Sequence, residues 1–435
     1  MPRITALVAA CALAACAPAL APSAPAPSAP PDVAGRWEGI VRVPGQTFAS
    51  ALDLAPGPSG AGWSGTLDLS AVGMGAVPLA DVAVIPDSVR FELPGAGASF
   101  AGAVRAGRLG GEVLFGPGPG TFELARPGTT AAAALAAEAA SWDVASAAHP
   151  DSARVVTDDV ARFWAAYDAS TPETRAGALQ TGYLDPGTVG LQDLFGLEIG
   201  SVEAFAAAVD GHPDVYARAR AGSLRAAEIE PEVRAAYRRL AALYPDAVFP
   251  DLYVVVGAMT AAGKANSRGL VVAAERFPGP PGGPPLPGAV STVVHELVHA
   301  QQEGDAGLSL LAQALREGVA DYVAEMVVGA PSPADVATHA WADAREGEVW
   351  CAFAVEMEGA DVGRWLYDAP EGDRPANLGY YVGYQIAEAY HERAREAGRG
   401  DGAFVAEAVR FDDARAFLDT SGYAGRFECA RPGGE

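Results

Sequence analysis

The segment VVHELVHAQQ, Val293–Gln302, sets His295 and His299 four residues apart, with Glu296 directly after the first. Residues four apart on a helix share a face. Both imidazoles can then reach one tetrahedral metal ion, while Glu296 reaches a water bound to it. The chain has only six histidines, and two of them are spent this way. An ordinary amphipathic helix is the competing reading, so the motif must be judged by what the neighbouring sequence supplies.

The segment itself reads as a helix with a buried stripe, because Val290, Val293, Val294, Leu297 and Val298 fall at i, i+3, i+4, i+7 and i+8. A catalytic zinc takes three protein ligands and keeps one open position. The third ligand is expected from LREGVADYVAEM, a second helical pattern whose Glu317 stands eighteen residues after His299. Asp321 lies one turn after Glu317 on the same face. A carboxylate there can accept a hydrogen bond from the distal N–H of a ligand histidine, fixing its tautomer and raising its basicity. Helix-friendly acids on a surface helix are the plainer explanation, but they do not account for the whole His–His–Glu–Asp constellation.

The elements around these residues change character along the chain. Residues 33–127 read as an antiparallel β sandwich or barrel of seven or eight strands: RWEGIVRV, SGTLDLS, SVRFELPG and GTFELAR alternate apolar and polar residues between Gly, Pro and Asp-Ser breaks. In the first, Trp37, Gly39, Val41 and Val43 share one face, and Glu38, Ile40 and Arg42 the other. Trp63 is expected at a core or edge position, with a ligand surface as the alternative. Residues 128–435 are mostly helical, as in TDDVARFWAAYDAS and PEVRAAYRRLAALYP. Two β-branched runs interrupt them, FPDLYVVVG and RGLVVAAERF, and read as paired strands around a glycine-containing turn. The second is expected to lie above the zinc helix and to pair with an extended peptide. The other histidines, His149, His212, His339 and His391, lack partners at ligand spacing and are expected at the surface or as caps.

The chain of 435 residues carries a formal charge of −24, and Lys264 is its only lysine. So acidic a surface repels phosphate backbones, which argues against nucleic acid as a partner. Residues 1–16, MPRITALVAACALAAC, have the order of a secretory signal: Arg3, an apolar stretch, then small residues before Cys16. Residues 17–32 are a Pro/Ala/Ser tether that cannot bury apolar surface. No later run is long enough to span a membrane. In an oxidising compartment Cys351 and Cys429 are expected to form a disulfide, with buried free thiols as the alternative.

Several of these stretches carry resemblances. LAAC resembles the lipobox of bacterial lipoproteins, which implies lipidation at Cys16, with VAAC at Cys11 a rival. Ala17 after it implies outer-membrane sorting, with attachment to the membrane through the lipid anchor only. HExxH with a downstream glutamate resembles the gluzincin metallopeptidases. YPDAVFPDLYVVVG, GLVVAAERF, VVHELVHAQQ, LREGVADYVAE and YYVGYQIAEAY occur in the order seen in a bacterial family of predicted zinc-dependent proteases akin to gliding-motility lipoproteins. That likeness covers roughly residues 150–425 and implies a zincin-like domain with a small β-sheet. It also implies an oxyanion-stabilising tyrosine in a Tyr-x-x-Gly context, for which Tyr380 is the candidate and Tyr381 and Tyr384 the alternatives. The acid with which zinc aminopeptidases hold a free amine is replaced by Thr260 in GAMTAAG, which argues against an aminopeptidase.

The expectation is therefore a zinc metallopeptidase tethered to the cell envelope, acting on peptide or protein substrates. Zn2+ would be held by His295, His299 and Glu317, Asp321 would orient a histidine, and Glu296 would be the general base. The alternatives are a non-enzymatic envelope lipoprotein or binding module that keeps a zinc site, and a β domain that delivers the rest of the chain to a glycan or protein.

Overall fold

The computed structural model describes residues 33–429 except 44–45, 58–61, 70–74, 86–87, 95–96, 116–117, 143–146, 267 and 303–306. The signal segment, Cys16 and the tether lie outside the described residues.

Nine strands come first: β1 Gly35–Val43, β2 Gln46–Pro56, β3 Trp63–Asp68, β4 Ala76–Pro78, β5 Ala80–Ile85, β6 Ser88–Leu93, β7 Ala98–Arg105, β8 Arg108–Phe115 and β9 Gly118–Ala125. They pair antiparallel in the order β4-β3-β2-β1-β9-β8-β7-β6-β5. The two strands that end this order, β4 and β5, are joined by Leu79 alone, whose N–H donates to the Gly65 carbonyl of β3 at 2.9 Å. The sheet thus curls back on itself into a nearly closed barrel, which leaves little free edge. Its interior is filled by the inward positions of the alternating runs, among them Trp37, Phe48, Phe91, Phe100 and Phe122. Trp63 packs partly buried against the same core. The count exceeds the expected seven or eight because strands as short as β4 carry no alternation to read.

Ile40 lies on the face of β1 opposite Trp37, Val41 and Val43, as the alternation predicts, and that second face is covered too. Ile40 is fully buried, with Ala125, under Ala132, Leu135 and Ala139 of helix α1, Thr130–Trp142. Arg42 beside it donates to Glu138 of α1 at 2.6 Å. By packing, α1 belongs with the barrel.

The remaining chain is mostly helical around a small sheet. After β10, Val155–Val156, come α2 Asp158–Asp168, α3 Arg175–Leu179, α4 Val189–Leu194, α5 Val202–Gly211, α6 Pro213–Ser223 and α7 Glu230–Leu243. Then follow β11 Leu252–Val255, β12 Gly263–Asn266 and β13 Gly269–Ala273, and the helices α8 Ala289–His299 and α9 Leu310–Val328. The last helices are α10 Val336–Asp343, α11 Glu346–Glu356, α12 Leu378–Glu396, α13 Asp401–Ala408 and α14 Ala414–Ser421. No helix among the described residues is long and apolar enough to cross a membrane.

The sheet runs β10-β11-β13-β12. The two β-branched runs do pair, but in parallel, Leu252 opposite Leu270. Strand β12 lies between them in sequence and takes the outer place, antiparallel to β13. This corrects the expectation for GLVVAAERF: β13 has neighbours on both sides and offers no free edge. Both β11 and β13 are buried along their whole length, as parallel strands covered on two faces must be. The edge belongs to Gly263-Lys264-Ala265-Asn266, too polar and short for its pattern to announce a strand.

Helices α9 and α12 cross at backbone distance. A Cβ on Gly383 would sit 1.8 Å from the Ala314 carbonyl, and one on Gly318 would sit 2.1 Å from the Gly383 carbonyl carbon. Two glycines are therefore required at the crossing, and it is what brings the start of α12 beside Glu317. Cys351 of α11 is bonded to Cys429, with Cα atoms 5.3 Å apart, which ties the tail to the core.

Candidate metal centre

Helix α8 buries Val293, Val294, Leu297 and Val298 completely, which turns His295 and His299 together toward α9. Three atoms converge there. His295 Nε2 and His299 Nε2 are 2.9 Å apart, and Glu317 Oε2 lies 3.3 Å from the first and 3.2 Å from the second. Tetrahedral ligands at zinc distances of about 2.0–2.1 Å stand about 3.3 Å from one another, so the spacing suits a small divalent ion. The group is the one candidate metal cluster among the described residues.

The far sides of the rings decide its electrostatics. His295 Nδ1 is 2.7 Å from Asp321 Oδ1, and His299 Nδ1 is 2.7 Å from Gln302 Oε1. Gln302 is fixed in turn, since its Nε2 donates to the Arg316 carbonyl at 2.8 Å. Against two acceptor oxygens both Nδ1 atoms must carry the proton, so in neutral rings both Nε2 atoms present lone pairs. Two lone pairs and a carboxylate oxygen facing one point repel unless a cation sits among them. Without a metal a proton takes that part. Burial disfavours the imidazolium of His295, but Asp321 and Glu317 outweigh it and hold its pKa well above the ordinary value. Burial would raise Glu317, yet the two histidines hold it well below.

Glu296 is nine-tenths buried, and burial raises its carboxyl above the usual range. The backbone of β12 lies directly on it: a Cβ on Gly263 would stand 2.8 Å from Glu296 Oε1. Among the described residues its carboxylate makes no hydrogen bond. It is thus an acceptor beside the cluster with its lone pairs uncommitted, placed next to the sheet edge.

The tyrosines separate cleanly. The Tyr380 ring stacks on His295 with centroids 6.3 Å apart, and burial keeps its hydroxyl protonated far above neutrality. Tyr381 donates to Asp343 at 3.0 Å and Tyr384 to Glu325 at 2.8 Å, so both hydroxyls are engaged elsewhere. Tyr367, which sequence patterning does not single out, donates to Glu317 Oε1 at 2.7 Å. It sits on an aperiodic connection, so no spacing marks it. Gln302 had a usable signal, three residues after His299 on the continuing turn.

Of the other histidines, His149 and His212 are exposed, the latter capping α5. The expectation fails for two. His391 is 3% exposed, held between the Tyr322 hydroxyl at 2.8 Å and Asp401 at 3.0 Å. His339 is partly buried, edge-on to the Tyr381 and Tyr384 rings. Their partners lie on other helices, which spacing along the chain cannot reveal. Comparison with family models, with curated proteins and with solved structures finds no match to this chain.

Proposed function

We propose that the chain is a zinc-dependent peptidase, tethered to the cell envelope through Cys16 and acting on extended peptide segments. The carrying observation is the convergence of His295 Nε2, His299 Nε2 and Glu317 Oε2 with both distal nitrogens held as donors. All-nitrogen-and-oxygen ligands from two histidines and one carboxylate suit catalytic zinc and leave a fourth position for water. When bound, zinc polarises a scissile carbonyl and brings the pKa of its water to about 7.

The protein's own groups supply the rest. Glu296, whose buried carboxylate has no hydrogen bond among the described residues, accepts a proton from the attacking water and passes it to the leaving amine. Its raised pKa suits a group that must take up a proton and then release it. Tyr380, stacked on His295 and protonated, is the donor for the oxyanion. Strand β12 has no neighbour on its outer side among the described residues, and can align an extended backbone beside Glu296. A purely structural metal site has no use for Glu296, which favours this reading over a binding module.

The test is digestion of a mixed peptide library by residues 33–435 and by Glu296→Gln. Cleavage by the first and not by the second is expected. Equal inactivity of both, with metal bound, favours a non-enzymatic module.

A further inference from the structure

Tyr367 is placed in a way that neither packing nor backbone preference explains. It lies on the connection between α11 and α12 with φ +59°, in the left-handed region that disfavours bulky side chains. It is 66% exposed, the most exposed of the tyrosines in a region where Trp365 and Leu366 just before it are buried. The turn is pinned on its other side as well. Asp368 pairs with Arg374 at 2.8 Å and accepts the Asn377 N–H at 2.5 Å. An aromatic residue is thus forced outward into an unfavourable conformation by a turn fixed at both ends.

What this placement gains is one hydrogen bond, from the Tyr367 hydroxyl to Glu317 Oε1 at 2.7 Å. The other oxygen of that carboxylate, Oε2, faces His295 and His299. The two oxygens of Glu317 therefore have separate partners. Tyr380 stands behind, its ring 6.1 Å from that of Tyr367 and edge-on to it.

We infer that Tyr367 is a positioning residue of the metal centre. Its hydroxyl occupies Glu317 Oε1, so that Glu317 offers the metal one oxygen and a further coordination position stays free for water and substrate. Without the hydroxyl the carboxylate can turn and bind through both oxygens, closing that position. The same contact seats Tyr367 over the cluster beside Tyr380, so the pair forms one wall of the site. The inference rests on the metal-centre reading above, and deepens it by assigning what holds the third ligand.

The experiment compares wild type, Tyr367→Phe and Tyr367→Gly, each as the chain from residue 33, by zinc competition against a chromophoric chelator. The cobalt-substituted visible spectrum and the metal-free melting temperature are measured alongside. Loss of an outer hydrogen bond to a ligand typically weakens metal binding 10–100-fold, and that is expected for both variants. The cobalt band of Tyr367→Phe should weaken, as coordination rises from four toward five. Tyr367→Gly should melt no lower than Tyr367→Phe, since both lose the hydrogen bond and glycine adopts φ +59° without strain. Wild-type zinc affinity and an unchanged cobalt spectrum in Tyr367→Phe overturn the inference while leaving the centre intact. A Tyr367→Gly chain that melts well below Tyr367→Phe also overturns it, by showing a packing role for the ring. Failure of the wild type to bind zinc removes the centre itself, and the role of Tyr367 with it.

Discussion

His295 and Asp321 meet across two helices, Nδ1 to Oδ1 at 2.7 Å, and this one contact fixes which nitrogen of His295 faces the cluster. With the proton held on Nδ1, Nε2 is left bare 2.9 Å from its counterpart on His299. Asp321→Asn keeps the shape, but an amide can present its NH2 group to Nδ1 and favour the wrong tautomer. Zinc affinity is expected to fall about 10–100-fold, with peptide hydrolysis recovering as zinc is added. A chelator titration reads the affinity, and unchanged binding contradicts the orienting role.

Glu296→Gln separates base from ligand. The side chain is not among the three that converge, so the variant should fold and bind metal as the wild type does. Removing general-base catalysis typically costs 10²–10⁴-fold, so single-turnover cleavage of a chosen peptide should drop by that order. Retained activity would move the base to another residue.

Acidity and metal should compete at His295. Its raised pKa in the metal-free fold means that the proton stabilises the fold. That contribution is complete below the ordinary value of 6.5 and is lost as pH rises through the raised one. Glu317 has the opposite sign: held below its ordinary 4.5, it contributes above that pH and loses the contribution as acid protonates it. The metal-free protein should therefore melt progressively lower as pH is raised above 6.5. The zinc-loaded protein should not, because the metal replaces the proton. Parallel melting curves with and without zinc contradict this coupling.

The Cys351–Cys429 bond closes a loop with a sequence separation of 78. A double serine variant is expected to lose about 2–4 kcal/mol of unfolding free energy in denaturant titration. Neither cysteine is among the three converging side chains, so zinc affinity should stay the same.

How much was legible in the sequence differs by element. The buried stripes of α8 and α9 announce their faces, and those faces carry His295, His299, Glu317 and Asp321 at spacings a helix turns into proximity. Tyr380 is named only through the family resemblance, with Tyr381 and Tyr384 beside it, and the fold sets the Tyr380 ring against His295. The barrel strands are readable where alternation is long, as in β1 and β6, and unreadable in β4. Tyr367 and β12 leave no trace because their positions are set by what packs around an aperiodic loop and a polar edge. Alternation places Ile40 on the second face of β1, but does not report that a later helix covers that face. His391 and His339 likewise owe their burial to partners on distant helices.

Anchoring is tested apart from chemistry. If Cys16 is the acylated N-terminus, intact mass of the cell-derived protein should correspond to a chain starting at Cys16 plus acyl groups, in the membrane fraction. A Cys16→Ala chain should then be released from it. An unmodified soluble chain starting elsewhere contradicts the anchor and leaves the metal centre untouched.

The centre itself is tested most directly by zinc stoichiometry. Metal-free protein from residue 33 onward is titrated with zinc against a chromophoric chelator, beside His295→Ala, His299→Ala and Glu317→Gln. One tight equivalent is expected for the wild type, none for either histidine variant, and a severe loss for Glu317→Gln. A wild-type chain that binds no zinc, or histidine variants that hold it as tightly, would rule out a zinc centre at His295, His299 and Glu317.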